Sequence, residues 1–134
     1  MDSHEAVGGE GWLRLGIAAE LAKKYGADER DFLRTLALLL ERALPGETTI
    51  ERGGWFGKGP IQRIIVALGD WEYTLTDPGR GPLQATRARA VRGIRLKSDD
   101  LPVPEWINEL GVLLDERART SEAAREALAR YTDL

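Results

Sequence analysis

The alternation of apolar and polar residues is clearest in the middle of the chain, where it predicts a β-hairpin. The segments Ile61–Leu68 and Trp71–Thr76 are rich in β-branched and aromatic residues, and they flank the dipeptide Gly69-Asp70. A two-residue loop that contains glycine favours a hairpin and fixes its register. The pairs predicted on the apolar face are Leu68 with Trp71, Val66 with Tyr73, and Ile64 with Leu75.

Weaker alternation predicts one further strand on either side of this hairpin. A short first strand is expected over residues 48–54, and a long fourth strand is expected over residues 83–97, after the Pro- and Gly-rich turn at residues 77–82. We interpret Gly93, inside the long strand, as the site of a β-bulge. Together these segments predict a four-stranded antiparallel meander.

Apolar residues recur at helical spacing in the N-terminal third of the chain and predict two helices there. The first helix is expected over residues 12–25 and the second over residues 29–44, with Asp28 as the N-cap of the second. Leu38 and Leu39 widen the apolar stripe of the second helix. Two interpretations follow: a central helix packed between the sheet and the first helix, or a homodimer contact.

The C-terminal third also has helical spacing. One helix is expected to begin near Pro104, and Thr120 or Ser121 is placed to cap a second segment over residues 122–131. This last segment has few large apolar residues. We therefore expect it to extend into solvent or to act as a partner-binding arm.

The order of these elements predicts an α+β fold: two N-terminal helices, a four-stranded antiparallel β-meander and a long C-terminal helix with a break. A length of 134 residues fits a single domain with a real core. Residues 1–10 are acidic and contain glycine, and we expect them to form a disordered tail that precedes a domain over residues 11–134.

The inventory of reactive side chains argues against an enzyme. The chain has no cysteine, and its one histidine, His4, lies in the predicted tail. Hydrolytic triads that need histidine or cysteine, and zinc sites, therefore lack their essential groups in the fold. The glycine-rich stretch over residues 53–59 also lacks the spacing and the Ser or Thr of a phosphate-binding loop. We predict no catalytic residue, no metal and no cofactor.

The N-terminal residues and the short apolar runs indicate a cytoplasmic protein. The first residues lack the basic and apolar regions of a signal peptide. The longest apolar runs, residues 36–40 and 64–68, are far shorter than the roughly 20 residues that span a bilayer.

Charge is distributed unevenly along the chain, and this suggests a second kind of surface. Residues 47–97 carry 9 basic and 5 acidic side chains, whereas residues 98–134 carry 4 basic and 9 acidic ones. The alternation of the predicted strands places a row of arginines on one open sheet face, where it could meet phosphates or an acidic partner. The members of this candidate anion-binding row are Arg63, Arg87, Arg89 and Arg95.

Two large aromatic residues, Trp55 and Phe56, lie between glycines and next to Lys58 in the predicted loop between the first two strands. Such residues are expected either to dock into a partner or to fold back over the sheet edge. We predict that Trp55, Phe56 and Lys58 bind a partner.

These observations favour a non-enzymatic protein-interaction domain that acts as an adaptor, a chaperone-like protein or a regulatory subunit and forms a homodimer. The alternative is nucleic-acid or polyanion binding through the arginine row. The mild net charge of −3 and the lack of aromatic residues between these arginines make this alternative weaker.

Overall fold

The computed structural model describes residues 8–132, with side chains described from residue 17 to residue 131. This part of the chain contains four α-helices: α1 (Gly8–Ala27), α2 (Glu29–Ala43), α3 (Val103–Ala118) and α4 (Glu122–Thr132). The predicted N-cap is confirmed, because the Asp28 carboxylate accepts hydrogen bonds from the backbone N–H groups of Arg30 and Asp31 at 3.0 and 3.1 Å. Most of the predicted N-terminal tail, residues 1–7, lies outside the described residues.

Between the two helical pairs in chain order, the protein forms an antiparallel sheet of five strands in the order of the sequence. The strands are β1 (Thr48–Arg52), β2 (Ile61–Leu68), β3 (Trp71–Thr76), β4 (Gln84–Val91) and β5 (Ile94–Leu101). The predicted hairpin of β2 and β3 is confirmed in its register, with Leu68 opposite Trp71, Val66 opposite Tyr73 and Ile64 opposite Leu75. Gly69, which begins the turn, has a φ of 61°, a value that glycine adopts without steric cost.

The prediction of a single long fourth strand is wrong. The chain reverses at Arg92-Gly93, and the residues after it form β5, which pairs with β4 along its whole length. Both turn residues have positive φ, 52° at Arg92 and 81° at Gly93, as in a type I′ turn. A bulge does occur nearby, but the extra residue is Leu96 on β5. Asp99 and Asp100 lie near the end of β5.

The helices cover one face of the sheet. α2 lies against β1 and β2, and α3 lies against β4, while α1 and α4 pack mainly against other helices. The wide apolar face of α2 is buried by these neighbours, and Leu38 is the large apolar side chain of α2 that stays exposed. The interpretation as a central helix therefore accounts for the width of the apolar stripe without a second chain.

The last helix is part of the core. Ser121 accepts a hydrogen bond from the backbone of Ala124 at 3.2 Å and so caps α4, as predicted. Ala124, Ala127 and Leu128 of α4 are buried, and the helix packs against α2, α3 and α1. The expectation of an extended arm is wrong, because small alanine side chains let α4 approach its neighbours closely.

The other face of the sheet is not covered by a helix in the described part of the chain. It carries mostly threonine, alanine and charged residues. Two cross-strand ion pairs lie on it, Arg63 with Glu51 and Arg95 with Glu72. The molecule thus has a helical side and an open, polar sheet side, and the loops lie at the ends of the strands.

Candidate interaction site

The loop between β1 and β2 has a closed neck held by backbone hydrogen bonds. The N–H of Gly53 donates to the carbonyl of Pro60 at 3.0 Å, and the N–H of Gly59 donates to the carbonyl of Gly53 at 2.7 Å. The guanidinium of Arg52 donates to the carbonyl of Gly59 at 3.3 Å. These bonds bring the two ends of the loop together and fix the direction in which its tip points.

Glycine is required at this neck because the two chain segments approach too closely for a side chain. A Cβ atom on Gly59 would lie 2.6 Å from the carbonyl oxygen of Gly53, well inside van der Waals contact. Gly54 has a φ of 77°, and a Cβ there would lie 3.1 Å from the backbone of Gly59. The spacing of glycines in this segment therefore follows from its geometry.

The tip of the loop presents the two aromatic residues to solvent. Trp55 is 85% exposed and Phe56 is 90% exposed, and their ring centroids lie 6.3 Å apart. A short 3₁₀ turn over Trp55–Gly57 carries them, with the N–H of Lys58 donating to the carbonyl of Trp55 at 3.2 Å. Of the two geometries considered from the sequence, the aromatic rings adopt the exposed one and do not fold back over the sheet edge.

Phe56 also has an unusual backbone conformation. Its φ of 58° lies in the left-handed region, which costs an L-residue about 1–2 kcal/mol. The strain places a large aromatic side chain in solvent and gains no buried contact for it. Strained backbone conformations cluster at active sites and ligand-binding segments.

A cleft of about 280 Å³ lies at the base of the loop, between α2 and the adjoining end of the sheet. Apolar groups from Leu33, Ile61 and Pro78 line part of its wall. Three arginines from two separate elements also line it: Arg30 and Arg34 from α2, and Arg52 from the end of β1. We call these three residues the arginine cleft.

The arginine cleft keeps a positive charge in spite of its neighbours. Arg34 is paired with Asp31 at 3.0 Å, and hydrogen bonds from Lys24 and Arg34 hold the pKa of Asp31 below its ordinary value. Arg30 and Arg52 bond to no carboxylate among the residues that the structure describes. Asp77 is the acidic residue of the cleft, and its carboxylate accepts a hydrogen bond from the N–H of Gly79 at 2.9 Å.

The arginine row predicted from the sequence does not share one face. Arg63 and Arg95 lie on the open face, where Glu51 and Glu72 neutralise them. Arg87 and Arg89 lie opposite Tyr73 and Trp71 in the register of the sheet, and these positions belong to the helical face. The expectation of a shared face is wrong for two reasons. A turn and a bulge interrupt the alternation between Arg89 and Arg95. Arg63 lies opposite Thr76, whose position belongs to the open face and not to the face of Tyr73 and Trp71.

Arg87 takes part in a partly buried polar cluster beneath α3. Its guanidinium donates to Glu109 at 2.8 and 2.9 Å and lies 3.6 Å from Asp99, and the Glu109 hydrogen bond raises the pKa of Arg87. The Tyr73 hydroxyl donates to Glu109 at 3.0 Å, and burial together with this bond raises the pKa of Tyr73 to about 12. The guanidinium carbons of Arg87 and Arg89 lie 5.4 and 5.8 Å from the ring centroid of Trp71.

Sequence reasoning located the aromatic tip and Lys58, but it missed the arginine cleft. Arg30 and Arg34 are one helical turn apart, a spacing that places both on one face of α2. That signal was present in the sequence. The position of Arg52 beside them depends on how β1 ends against α2, and no local pattern carries that information.

No protein-family model, curated protein or solved structure shows significant similarity to the chain. Within residues 8–132, no helix has both the length and the apolar character needed to cross a bilayer. The described side chains include no group of three or more acidic, histidine or cysteine residues able to hold a metal ion.

Proposed function

We propose that the protein is a non-enzymatic interaction domain, an adaptor, chaperone-like protein or regulatory subunit, that binds a protein partner through the Trp55-Phe56 tip. The observation that carries this proposal is the near-complete exposure of both aromatic rings on a loop whose neck is fixed by glycine and backbone hydrogen bonds. A fixed loop loses little conformational entropy on binding. Most of the free energy that is gained by burying the two rings therefore contributes to the affinity.

The size of the two rings is sufficient for an interface centre. Burial of a large apolar side chain contributes roughly 1.5–3 kcal/mol, and aromatic residues are enriched among the few interface positions that dominate affinity. Trp55 and Phe56 together therefore supply several kcal/mol if both enter an apolar pocket of the partner. Lys58, which is exposed on the same loop, adds a positive charge at the rim.

The neighbouring arginine cleft supports a partner with an acidic segment. Guanidinium groups bind carboxylates through paired hydrogen bonds, and the apolar wall formed by Leu33, Ile61 and Pro78 can receive the aliphatic part of the same segment. The proposed ligand is thus a protein surface with an apolar pocket and, next to it, one or two carboxylates. Its affinity falls with salt, because the arginines are exposed and screened by ions.

Co-purification from the native cells followed by direct binding of the purified partner tests this proposal. The variant W55S/F56S is expected to weaken binding by about 30-fold or more, which corresponds to a loss of about 2 kcal/mol. The matched control is Leu38→Ser, which removes another exposed apolar side chain at a distance from the loop. The variant R30Q/R52Q is expected to weaken binding and to flatten its salt dependence.

Two results would overturn the proposal. If W55S/F56S unfolds the protein, as judged by circular dichroism, the aromatic rings are structural and the loop is not a binding site. If W55S/F56S and Leu38→Ser bind the partner equally well, another surface is responsible.

The alternative, nucleic-acid or polyanion binding, has weaker support. Three of the four arginines on which it depends are paired with carboxylates, and the four are divided between the two faces of the sheet. Anisotropy of labelled duplex DNA and RNA at low salt tests it directly, since electrostatic binding is strongest there. Binding that Arg87→Gln and Arg89→Gln together abolish would restore the alternative.

A further inference from the structure

We infer that β5 is a self-association surface, on which β5 of a second copy pairs antiparallel and joins the two sheets into one. β5 is an edge strand of eight residues, and it is exposed along most of its length. It includes two large apolar side chains, Ile94 and Leu96, that are 63% and 62% exposed. An edge strand of this length offers a row of unpaired backbone groups to another strand.

The order of charges along β5 selects a second copy as the occupant. Reading from the N-terminal end, the strand carries two cations, Arg95 and Lys97, and then two anions, Asp99 and Asp100. An identical strand that runs antiparallel therefore places its anions against these cations. The charge pattern is complementary to itself in the antiparallel orientation, whereas in the parallel orientation like charges would meet.

A specific register follows from the side-chain directions within the sheet. Lys97 and Asp99 point to the helical face, and Ser98 and Asp100 point to the open face. A two-fold axis at Ser98 places Lys97 opposite Asp99 of the second copy on the helical face. The bulge at Leu96 turns Arg95 to the open face, where its ion pair with Glu72 lies, and this brings it next to Asp100 of the second copy.

Charged residues and bulges on an edge strand also occur as devices that prevent pairing. Charged side chains can keep an edge strand from pairing whatever their order along the strand. The repulsion between two such strands is strongest when all the charges have the same sign. Here the sign changes in the middle of the strand, and Asp100 has no ion pair among the described residues. The charges of β5 therefore oppose pairing with an unrelated strand but favour pairing with a second copy.

Sedimentation of the full chain over a wide concentration range, with a charge exchange across the proposed contact, tests the inference. The wild type is expected to reach the mass of two chains. Lys97→Glu alone and Asp99→Lys alone are each expected to stay at the mass of one chain, because like charges then meet twice across the two-fold axis. An equimolar mixture of the two variants is expected to regain the mass of two chains. Arg80→Glu, the same reversal in an exposed loop, is the matched control and should dimerise as the wild type does.

Asp99 also contacts Arg87, so Asp99→Lys could disturb the fold. In that case the exchange is repeated with Arg95→Glu and Asp100→Lys, which form the other predicted pair. A wild type that stays at the mass of one chain at all concentrations overturns the inference. So does a Lys97→Glu variant that dimerises normally, or a mixture of variants that fails to regain the mass of two chains.

The inference goes beyond the proposed function and assigns a surface to the homodimer that the sequence predicts. It does not depend on the aromatic tip. W55S/F56S is expected to lose the partner and to keep the dimer, whereas Lys97→Glu is expected to lose the dimer. If W55S/F56S dissociates the dimer instead, the tip is the contact between copies, and β5 is not.

Discussion

Arg87 on β4 donates hydrogen bonds to both carboxylate oxygens of Glu109 on α3, at 2.9 and 2.8 Å, and thereby ties the sheet to the helix that covers it. Both side chains are about three-quarters buried. Glu109 also accepts a hydrogen bond from Tyr73, so one carboxylate satisfies two polar groups of the sheet. The cluster explains why a charged residue is tolerated on the helical face, and it leaves Arg87 poorly placed to bind an external anion.

Replacement of Glu109 by alanine is expected to destabilise the fold by about 1–3 kcal/mol, because it leaves Arg87 and the Tyr73 hydroxyl without their shared partner. Urea denaturation at neutral pH measures the effect. Glu105→Ala, an exposed glutamate one turn earlier on the same helix, is the control and should change stability far less. Equal effects of the two substitutions would mean that the cluster does not contribute to stability.

The raised pKa of Tyr73 predicts a loss of stability in strong alkali. The folded-state pKa of about 12 exceeds the ordinary value of 10.0, so the folded state holds the proton more tightly than the unfolded state. The stabilisation from Tyr73 is therefore complete below pH 10 and is lost as the pH rises to about 12. Tyr73→Phe removes this titration and one hydrogen bond that is worth about 1 kcal/mol.

Below pH 10 the wild type is thus expected to be more stable than Tyr73→Phe, and the difference should narrow and then reverse as the pH approaches 12. Denaturant unfolding of both proteins over this pH range provides the comparison. Deprotonation of lysines at high pH affects both proteins alike, so it does not change the difference in stability between them. A stability difference that does not change with pH would show that Tyr73 titrates normally in the folded state.

The sequence predicted correctly the part of the sheet in which the turn residues and the apolar alternation of the strands indicate the same pairing. In the β2–β3 hairpin, Gly69 supplies the backbone conformation that the turn needs, and the apolar alternation then places every pair. The second tight hairpin was missed because its first turn residue is arginine, which seldom adopts positive φ. Without Asn or Asp before Gly93, the pattern resembles one strand with a bulge.

Arg92 adopts a φ of 52° in a two-residue hairpin turn, a position that favours asparagine or glycine. Arg92→Asn is expected to raise the free energy of unfolding by about 0.5–1 kcal/mol, because asparagine tolerates the left-handed region better. Thermal and urea unfolding measure the change, with Arg80→Asn in an exposed loop as the control. A decrease in stability would indicate that the arginine side chain makes a contact that outweighs the strain.

The candidate site was predictable only in part, for a physical reason. Trp55 and Phe56 are conspicuous in the sequence because large aromatic residues are costly to expose on a loop. The arginine cleft is formed by residues about 20 positions apart in the sequence, Arg30 and Arg34 on α2 and Arg52 at the end of β1. The distance between these groups is set by the packing of α2 on β1 and β2, and alternation within a single segment does not report on that packing.

Phe56 offers the sharpest test of whether the tip exists for recognition or for stability. Its ring is 90% exposed and its backbone is strained, so the residue should contribute nothing favourable to folding. Phe56→Asn is therefore expected to leave the free energy of unfolding unchanged or to raise it by up to about 1 kcal/mol, since asparagine relieves the left-handed strain. Binding to the partner should weaken at the same time.

The matched control is Gly59→Ala, which leaves both aromatic rings in place. Its Cβ would meet the Gly53 carbonyl at 2.6 Å, so the neck of the loop must open or distort. This variant is expected to lose stability, by about 1–3 kcal/mol. It should also lose affinity, because the tip is no longer held in one direction. Urea unfolding and partner binding are measured on both variants.

A Phe56→Asn protein that is less stable than the wild type by more than about 1 kcal/mol would mean that the ring packs against the molecule in solution. The exposed aromatic tip would then not be a recognition element.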